Sequence, residues 1–225
     1  MGILQTKKEV KDEKTIDFHL VNSKNLLLIF TRNPELGKCK TRLAAKVGDN
    51  AALEIYKFLL NHTVEITSNL YTSKAVYYSE EVWKEDIWDN RIFEKKLQHG
   101  RDLGERMANA FKDGFERGFE KIIIIGSDMF DLCQPDLEEA FLALENDDFV
   151  VGPALDGGYY LLGMKKYKDA LFTNKDWGKE TVLKATLDNL DQERLHLLPE
   201  RNDVDHYEDI KDIKAFEPYL KHMQK

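Results

Sequence analysis

An aspartate follows closely on the most apolar run of the sequence. The run covers residues 122–125, and Gly126, Ser127 and Asp128 come directly after it. If the run is a buried strand, Asp128 lies beyond the carboxyl edge of a sheet, where open α/β sheets bind their ligands. Magnesium is usually held by one or two protein carboxylates together with phosphate and water. The position favours Asp128 as a metal ligand, and an aspartate that only caps the next turn is the structural alternative.

Basic residues are concentrated in a second segment, residues 31–46, which follows the apolar run at residues 26–30. Its cations outnumber the single acid Glu35, although the whole chain has a formal net charge of −8. Basic side chains and free backbone N–H groups at the end of a strand suit a polyphosphate. The residues that we expect to contact a nucleotide here are Thr31, Arg32, Lys38, Lys40 and Arg42. A solvated basic loop is the alternative, and residues 37–41 lack the upstream glycine and the Gly-Lys-Thr ending of a P-loop.

A glycine-rich segment surrounds another acid, Asp156. Residues 152–158 contain three glycines and a proline between two predicted strands. The pair Gly157 and Gly158 can adopt positive φ and lets a ligand approach the backbone closely. We therefore expect both glycines to contact the nucleotide, with Asp156 facing the ligand as a catalytic base on the acceptor side. A hairpin turn is the alternative, since Asp-Gly is a common hairpin signal.

Two more acids, Asp203 and Asp205, come after the last predicted strand. Acids one residue apart point to the same side of an extended segment, so the pair could complete a metal site with Asp128. Capping of the next helix by Asp205, or a solvated acidic loop, would explain the same pattern.

Apolar patterning predicts the elements that must hold these residues. Continuous apolar runs predict strands at residues 26–30, 74–78, 122–125, 149–151, 159–164 and 195–198. Helical spacing predicts helices over residues 52–70, 103–115, 135–144, 180–190 and 207–213. Because strands alternate with helices, we predict an α/β fold with a mostly parallel sheet covered by helices, in which residues 122–125 form the central strand.

Composition restricts the class of protein and its partners. A chain of 225 residues suits one large domain, and we predict a polar extension at residues 1–24 before a single domain at residues 25–225. The negative net charge argues against nucleic acid as the main partner. The apolar runs are strand-sized and far short of a membrane span. Cys39 and Cys133 lack disulfide or zinc spacing and no signal peptide is apparent, which predicts a cytoplasmic protein.

Taken in order, these segments resemble the GT-A superfamily of nucleotide-sugar glycosyltransferases and nucleotidyltransferases. The nearer resemblance is to a bacterial branch called rSAM/selenodomain-associated transferases or glycosyltransferase-like proteins. The matching strings are residues 30–43 (FTRNPELGKCKTRL), 98–107 (QHGRDLGERM), 125–128 (IGSD), 152–160 (GPALDGGYY) and 203–205 (DVD). The resemblance runs from about residue 26 to the C-terminus, and the ordered set is more specific than any one of its members.

The resemblance implies a Rossmann-like three-layer α/β/α sandwich of GT-A type, with the donor nucleotide over the carboxyl edges of the strands. The resemblance also implies a site for Mg²⁺ or Mn²⁺ with two acidic positions. Asp128 matches the first position, and Asp205, with Asp203, matches the second. Lys40 and Arg42 match a basic pair near the donor phosphates, as in the guanylyltransferases that act on phospholactate or molybdenum cofactor. The further nucleotide contacts expected from the matching strings are Gly100, Gly126 and Ser127.

These residues predict a metal-dependent transferase with a nucleotide-activated donor, most similar to a glycosyltransferase and acting on a small-molecule acceptor. Asp128, Asp156 and Lys40 are the expected catalytic residues. A nucleotidyltransferase that takes a nucleoside triphosphate and releases pyrophosphate is the second hypothesis, favoured by the basic residues 38–42. A catalytically silent nucleotide- or partner-binding module is the third, because Phe130 stands where the resembling branch usually has proline. The sequence predicts neither which molecule is the acceptor nor the oligomeric state.

Overall fold

A computed structural model describes residues 23–223 of the chain. The polar extension predicted at residues 1–24 therefore lies, except for its last two residues, outside the described residues. The strands are β1 (Asn25–Thr31), β2 (Ser73–Tyr78), β3 (Glu94–Leu97), β4 (Lys121–Ile125), β5 (Phe149–Pro153), β6 (Tyr159–Met164) and β7 (Leu195–Leu197). The α-helices are α1 (Thr41–Val47), α2 (Asp49–Ser68), α3 (Leu103–Glu116), α4 (Gln134–Asn146), α5 (Val182–Asp188) and α6 (Glu217–Leu220).

The strands form one sheet in the order β3-β2-β1-β4-β6-β5-β7. Every neighbouring pair is parallel except the two pairs that contain β6, which runs antiparallel to both β4 and β5. The predicted α/β fold with a mostly parallel sheet is confirmed. The prediction of a central strand at residues 122–125 is confirmed as well, because β4 lies in the middle of the seven.

Helices cover both faces of the sheet, and alternate residues of the strands face opposite layers. Leu27 and Ile29 of β1 pack with α2 and α4, whereas Leu26 and Leu28 pack with α3 on the other face. The isoleucines of β4 are at most 3% exposed. Burial of each side chain stabilises the folded state by about 1.5–3 kcal/mol relative to leaving it exposed. This double burial explains why β1 and β4 are continuous apolar runs in the sequence.

A third apolar cluster joins α1 and the outer side of α2 to the end of the chain. The single helix predicted over residues 207–213 is wrong. The segment instead contains short 3₁₀ turns at Tyr207–Asp209 and Lys214–Phe216 before α6. Its apolar residues Tyr207, Ile210, Ile213 and Phe216 recur every three positions, which is the period of a 3₁₀-helix and not of an α-helix.

Strand β3, helix α1 and helix α6 were not predicted from the sequence. Strand β3 reads Glu-Lys-Lys-Leu and lies at the edge of the sheet beside β2. Helix α1 has seven residues and packs Leu43 and Val47 into the third cluster. In the part of the chain that the structure describes, none of the helices combines the length and the apolarity needed to cross a membrane.

Candidate functional site

Asp128 lies beyond the carboxyl edge of β4, at the centre of the sheet. Ile29 of β1 is paired with Ile125 of β4, so the segments that follow these two strands leave the sheet side by side. The backbone N–H of Val204 donates to the carbonyl oxygen of Asp128 at 3.2 Å. This bond ties the Asp203–Asp205 segment to Asp128, and so the acids of two distant sequence motifs meet at one point.

Lys40 lies between the acids of these two motifs. Its Nζ is 2.9 Å from Oδ2 of Asp128 and 3.9 Å from Oδ1 of Asp205, and its side chain is 7% exposed. Arg42 Nη1 is 2.8 Å from the other oxygen of Asp205. Burial opposes the charge of Lys40, but Asp128 and Asp205 outweigh burial and raise its pKa above the ordinary value. Lys40 and the acids therefore form a charged cluster, not a row of solvated side chains.

The backbone of Lys40 is itself unusual. Lys40 has φ of 48° and ψ of 46° at the residue before α1, and a left-handed conformation costs energy in any residue with a Cβ. Its carbonyl oxygen accepts the N–H of Ala44 and so starts the helix. Strained backbone of this kind concentrates at functional sites, where surrounding contacts over-determine it. The ion pair with Asp128 is one such contact.

Asp203 is a partly buried acid whose pKa is raised. Burial raises its pKa to about 6, with a further increase from Asp128 and smaller ones from Asp156 and Asp205, against the opposing effect of Lys40. Three carboxylates thus raise the pKa of Asp203, and one buried ammonium lowers it. Such a site attracts a further cation.

The side chains present fit a divalent metal in their chemistry. Carboxylate oxygens are the ligands that Mg²⁺ and Mn²⁺ prefer, and the pKa of Asp203 is raised first by burial and then by the neighbouring Asp128. Within residues 23–223, no three His, Cys, Asp or Glu side chains already converge as a coordination shell. Lys40 Nζ lies between Asp128 and Asp205, so binding of a metal by both acids requires the ammonium to move aside.

A polar cavity of about 640 Å³ opens on one side of Asp128. Basic side chains predominate in its lining: Arg32, Lys38, Lys40, Arg42 and Arg106. Thr31, Gly126 and Ser127 also line it, together with Gln98 and Glu80. The size suits a nucleotide, and the concentration of cations suits its phosphates. Lys38 lies at the rim, where its exposed ammonium pairs with Glu35 at 2.7 Å.

Tyr56 organises the floor of the polar cavity and was missed in the sequence. Its hydroxyl lies 3.1 Å from Ser127 Oγ and 3.3 Å from Thr31 Oγ1, and it accepts the backbone N–H of Arg32 at 2.9 Å. Thr31 and Ser127 are therefore buried groups that hold the two strand ends together. Tyr56 belongs to the helical stripe of α2, where a tyrosine cannot be told from a core residue by spacing alone.

Asn33 and Gln98, also missed, fix the other walls of this cavity. Asn33 Oδ1 accepts the N–H groups of Glu80 and Glu81 at 3.1 and 3.3 Å. The Gln98 amide donates to the carbonyl oxygens of Thr31 and Tyr77 at 3.2 and 2.9 Å. Both residues lie in strings that carry the family resemblance, but their roles could not be read from the sequence, because their partners are backbone groups of distant segments.

A second, apolar cavity of about 250 Å³ is also lined by Asp128. Its lining includes Leu103, Met107, Tyr159, Trp177 and Val182, with Asp128, Asp156 and Asp203 at the polar end. The two cavities share Phe30, Leu103, Gly126 and Asp128. Asp128 thus stands where a molecule in one cavity would meet a molecule in the other.

The glycine-rich segment forms a hairpin between β5 and β6, in agreement with the alternative hypothesis. The N–H of Ala154 donates to the carbonyl oxygen of Gly158 at 3.0 Å, and Gly158 N–H donates to Oδ1 of Asp156 at 2.8 Å. Asp156 and Gly158 line the apolar cavity. Gly157 lines neither cavity: it has φ of 83° and packs directly on the backbone of Glu180.

Gly100 also lines neither cavity. It has φ of 141°, and a Cβ there would lie 2.7 Å from the backbone nitrogen of Arg106. Its carbonyl oxygen accepts a hydrogen bond from Nε of Arg106 at 3.2 Å. Gly100 therefore positions Arg106, which lines the polar cavity, and does not itself contact that cavity.

Phe130 packs into an aromatic group behind Asp128. Its ring centroid lies 4.9 Å from that of Phe216 and 5.7 Å from that of Phe58. The ion pair between Asp128 and Lys40 is present with phenylalanine at this position. The third apolar cluster thus explains why a large residue stands here.

A family model described as "Uncharacterized protein conserved in bacteria (DUF2064)" matches residues 63–179, just over half of the chain. No protein of curated function matches the sequence at a significant level. Among solved structures, a provisionally named nucleotide-diphospho-sugar transferase from Desulfovibrio desulfuricans G20 is 27% identical, with a TM-score of 0.78. The alignment covers 90% of this chain and 96% of that one.

More distant structures share the fold. A cytidylyltransferase from Leptospira borgpetersenii is 15% identical with a TM-score of 0.56, and covers 90% of this chain and 94% of its own. The 4-diphosphocytidyl-2C-methyl-D-erythritol synthase from Anaerococcus prevotii is 9% identical with a TM-score of 0.53, at 90% and 97% coverage. The predicted likeness to GT-A-type transferases is thereby confirmed at the level of the fold.

Proposed function

The chain belongs to the DUF2064 family, and we propose that it is a metal-dependent transferase that takes a nucleotide-activated donor, with a nucleotide sugar as the favoured donor. The observation that carries this proposal is the Lys40–Asp128–Asp205 cluster, which lines a basic cavity and whose Asp128 also lines an apolar cavity. The likeness to the Desulfovibrio protein supports the class of donor.

The donor binds in the polar cavity with its phosphates toward Lys40 and Arg42. Charge-assisted hydrogen bonds from lysine and arginine to phosphate oxygens are among the strongest polar contacts in proteins. Arg32 and Arg106 line the same cavity and extend the cationic surface along the donor. The cations favour the transition state over the ground state, because negative charge grows on the leaving phosphate as its bond breaks.

Asp128 and Asp205 would hold the metal, and Asp203 would contribute a further oxygen. A bound Mg²⁺ or Mn²⁺ would supply Lewis-acid stabilisation of the phosphate oxygens. The ammonium of Lys40 contacts Asp128 in the structure. Turned away from that carboxylate, the ammonium would donate to the donor phosphate.

Nucleotidyl transfer from a nucleoside triphosphate is the second candidate. The observation in its favour is the number of cations in the polar cavity, which suits three phosphates at least as well as two. The two reactions differ in the donor and in the product released, nucleoside diphosphate in one and pyrophosphate in the other.

The experiment is a thermal-stability panel of nucleotides and nucleotide sugars, each with and without Mg²⁺ or Mn²⁺. A ligand at 100 times its dissociation constant adds about 2.7 kcal/mol, roughly 5–11 °C for a chain of this size. We expect a metal-dependent increase with a nucleotide sugar. An increase with triphosphates alone would select nucleotidyl transfer, and no increase with any compound would contradict the proposal in favour of a silent module.

A further inference from the structure

The lining of the apolar cavity indicates the chemistry of the acceptor, on the premise that the proposed function is correct. Its walls are side chains without charge: Leu103, Met107, Tyr159, Trp177 and Val182. A volume of about 250 Å³ accommodates a small organic molecule and no polymer segment. Surfaces of this kind bind aliphatic or aromatic groups by excluding water.

The net charges of the two cavity linings differ in sign. The polar cavity is lined by five cations and by the carboxylates of Glu80, Asp128 and Asp205, whereas Asp128, Asp156 and Asp203 line the apolar cavity. Lys179 is the single basic residue that lines the apolar cavity among those that the structure describes, and it is exposed. An acceptor with a phosphate group would bring like charge toward three carboxylates without an arginine to bind it. The cavity therefore disfavours a phosphorylated acceptor.

Tyr159 supplies a hydrogen-bond donor at the apolar wall. Within residues 23–223, the one hydrogen-bond partner of its hydroxyl is the sulfur of Met107, at 3.7 Å, and a thioether is a weak acceptor. Burial raises the pKa of this phenol, so it stays protonated and can donate. A ligand oxygen in the cavity would be a stronger partner than Met107.

Trp177 closes the outer side of the cavity by packing on α3. Gly104 has no side chain, and a Cβ at that position would collide with the indole of Trp177. The close approach holds a flat aromatic surface against the cavity beside Leu103. Such a surface suits a planar ring of the ligand.

We propose that the apolar cavity binds the acceptor, an uncharged alcohol with a small aromatic or aliphatic body. Tyr159 donates to an acceptor oxygen, and the alcohol faces the donor across Asp128. The acceptor oxygen bonds to the anomeric carbon of the donor sugar while the bond from that carbon to the diphosphate oxygen breaks. The electron pair leaves with the nucleoside diphosphate, and the hydroxyl proton passes to Asp156.

The test uses two probes with the same body, 2-phenylethanol and 2-phenylethyl phosphate. Each is added to the full chain with Mg²⁺ and the nucleotide sugar selected by the thermal panel. Release of nucleoside diphosphate is followed, and the product is identified by mass spectrometry. We expect 2-phenylethanol to accelerate release and to yield a phenylethyl glycoside, and 2-phenylethyl phosphate to leave the rate unchanged.

A matched pair of variants locates the effect in this cavity. Tyr159→Phe removes the hydroxyl that faces the cavity, and we expect KM for 2-phenylethanol to rise about tenfold with KM for the donor unchanged. Tyr167→Phe is the control, because the Tyr167 hydroxyl is exposed and donates to Asp169 outside both cavities. We expect this control to match the wild type in both KM values.

The outcomes separate this inference from the proposed function. Turnover of 2-phenylethyl phosphate instead of the alcohol would overturn the neutral acceptor and leave the transferase in place. Donor binding without turnover of either probe, or equal KM values in Tyr159→Phe and wild type, would also overturn it. Absence of nucleotide binding in the thermal panel would overturn the proposed function itself.

Discussion

At the scale of single residues, Lys40 is the most informative side chain of the molecule. It combines a left-handed backbone, near-complete burial and ion pairs to acids from two separate segments. Loss of one partner of a buried ion pair leaves the other charge uncompensated. The stability of the protein should therefore depend on Lys40 more than on any exposed lysine of the same loop.

Lys40→Gln should lower the free energy of unfolding by about 1–2 kcal/mol, less than for a fully buried pair because Asp128 is partly exposed. Urea denaturation at pH 8 without metal measures the change. Lys38→Gln is the matched control: its lysine pairs only with Glu35 at the surface, and its midpoint should equal that of wild type. Equal midpoints for both variants would show that Lys40 does not stabilise the acidic cluster.

Asp203 gives a pH-dependent prediction. Its folded pKa of about 6 lies above the reference value of 3.8, so between these values the folded state binds more protons than the unfolded state. The contribution of Asp203 to stability therefore falls as pH rises from about 4 to 6. The free energy of unfolding of Asp203→Asn should exceed that of wild type by on the order of 1 kcal/mol at pH 8, after allowance for solvent screening. At pH 4 the two free energies should be nearly equal.

Denaturation curves at several pH values, in buffer with a chelator, measure this difference. Asp212→Asn, at an exposed position, serves as the control and should show no such trend. If Asp203→Asn were less stable than wild type at pH 8, the charged carboxylate of Asp203 would not destabilise the folded state.

Most acids and cations of the site could be predicted because they follow recognisable strands, whereas Arg106, which lies on helix α3, was not predicted. Asp128 and Lys40 lie beyond apolar runs that are unmistakable in the sequence. Tyr56 and Asn33 could not be predicted, since their roles depend on hydrogen bonds to Ser127 and Glu80, far away in the chain. Spacing shows which face of a helix is buried and not which hydroxyl finds a partner there.

At the scale of elements, Gly157 acts through packing. The sequence suggested a ligand contact, but Gly157 lies against the backbone of Glu180, and its carbonyl oxygen accepts the N–H of Leu183 at 2.8 Å. The hairpin between β5 and β6 thereby holds the loop that carries Trp177. The glycine affects the apolar cavity through this loop.

Gly157→Ala should destabilise the protein by about 2 kcal/mol more than Gly118→Ala, as measured by urea denaturation. The two glycines have φ of 83° and 86°, but a Cβ at Gly118 would meet nothing within 4 Å. The control therefore contains the backbone strain without the collision. Equal losses would mean that the contact with Glu180 is unimportant.

Strongly apolar elements were predictable and weakly apolar ones were not. Strands β1 and β4 are buried on both faces and give continuous runs. Strand β3 is an edge strand of mostly charged residues, with Lys95 paired to Asp86 at 2.7 Å, and has no run to detect. The helical turns after residue 206 show that a stripe of period three indicates 3₁₀ structure even in an apolar segment.

At the scale of the whole molecule, the fold separates charge around one edge of the sheet. In a chain with a net charge of −8, cations outnumber carboxylates in the lining of the polar cavity, whereas carboxylates outnumber cations in the lining of the apolar cavity. Segments as far apart as residues 40 and 205 build the boundary between them. The fold could be predicted from the apolar pattern and the resemblance, but the division into two cavities appears only when these segments meet.

The most direct test of the central claim is the rate of donor turnover, measured as nucleoside diphosphate or pyrophosphate released, in wild type, Asp128→Asn and Asp131→Asn. Asp131 lies three residues further along the same loop, where its side chain is 3.5 Å from Arg201. We predict that Asp128→Asn loses at least about 100-fold in rate and that Asp131→Asn stays near wild type. All three proteins should be folded, with Asp128→Asn melting about 2–8 °C below wild type because Lys40 loses its charged partner. Turnover at the wild-type rate in a folded Asp128→Asn protein would contradict the assignment of this site.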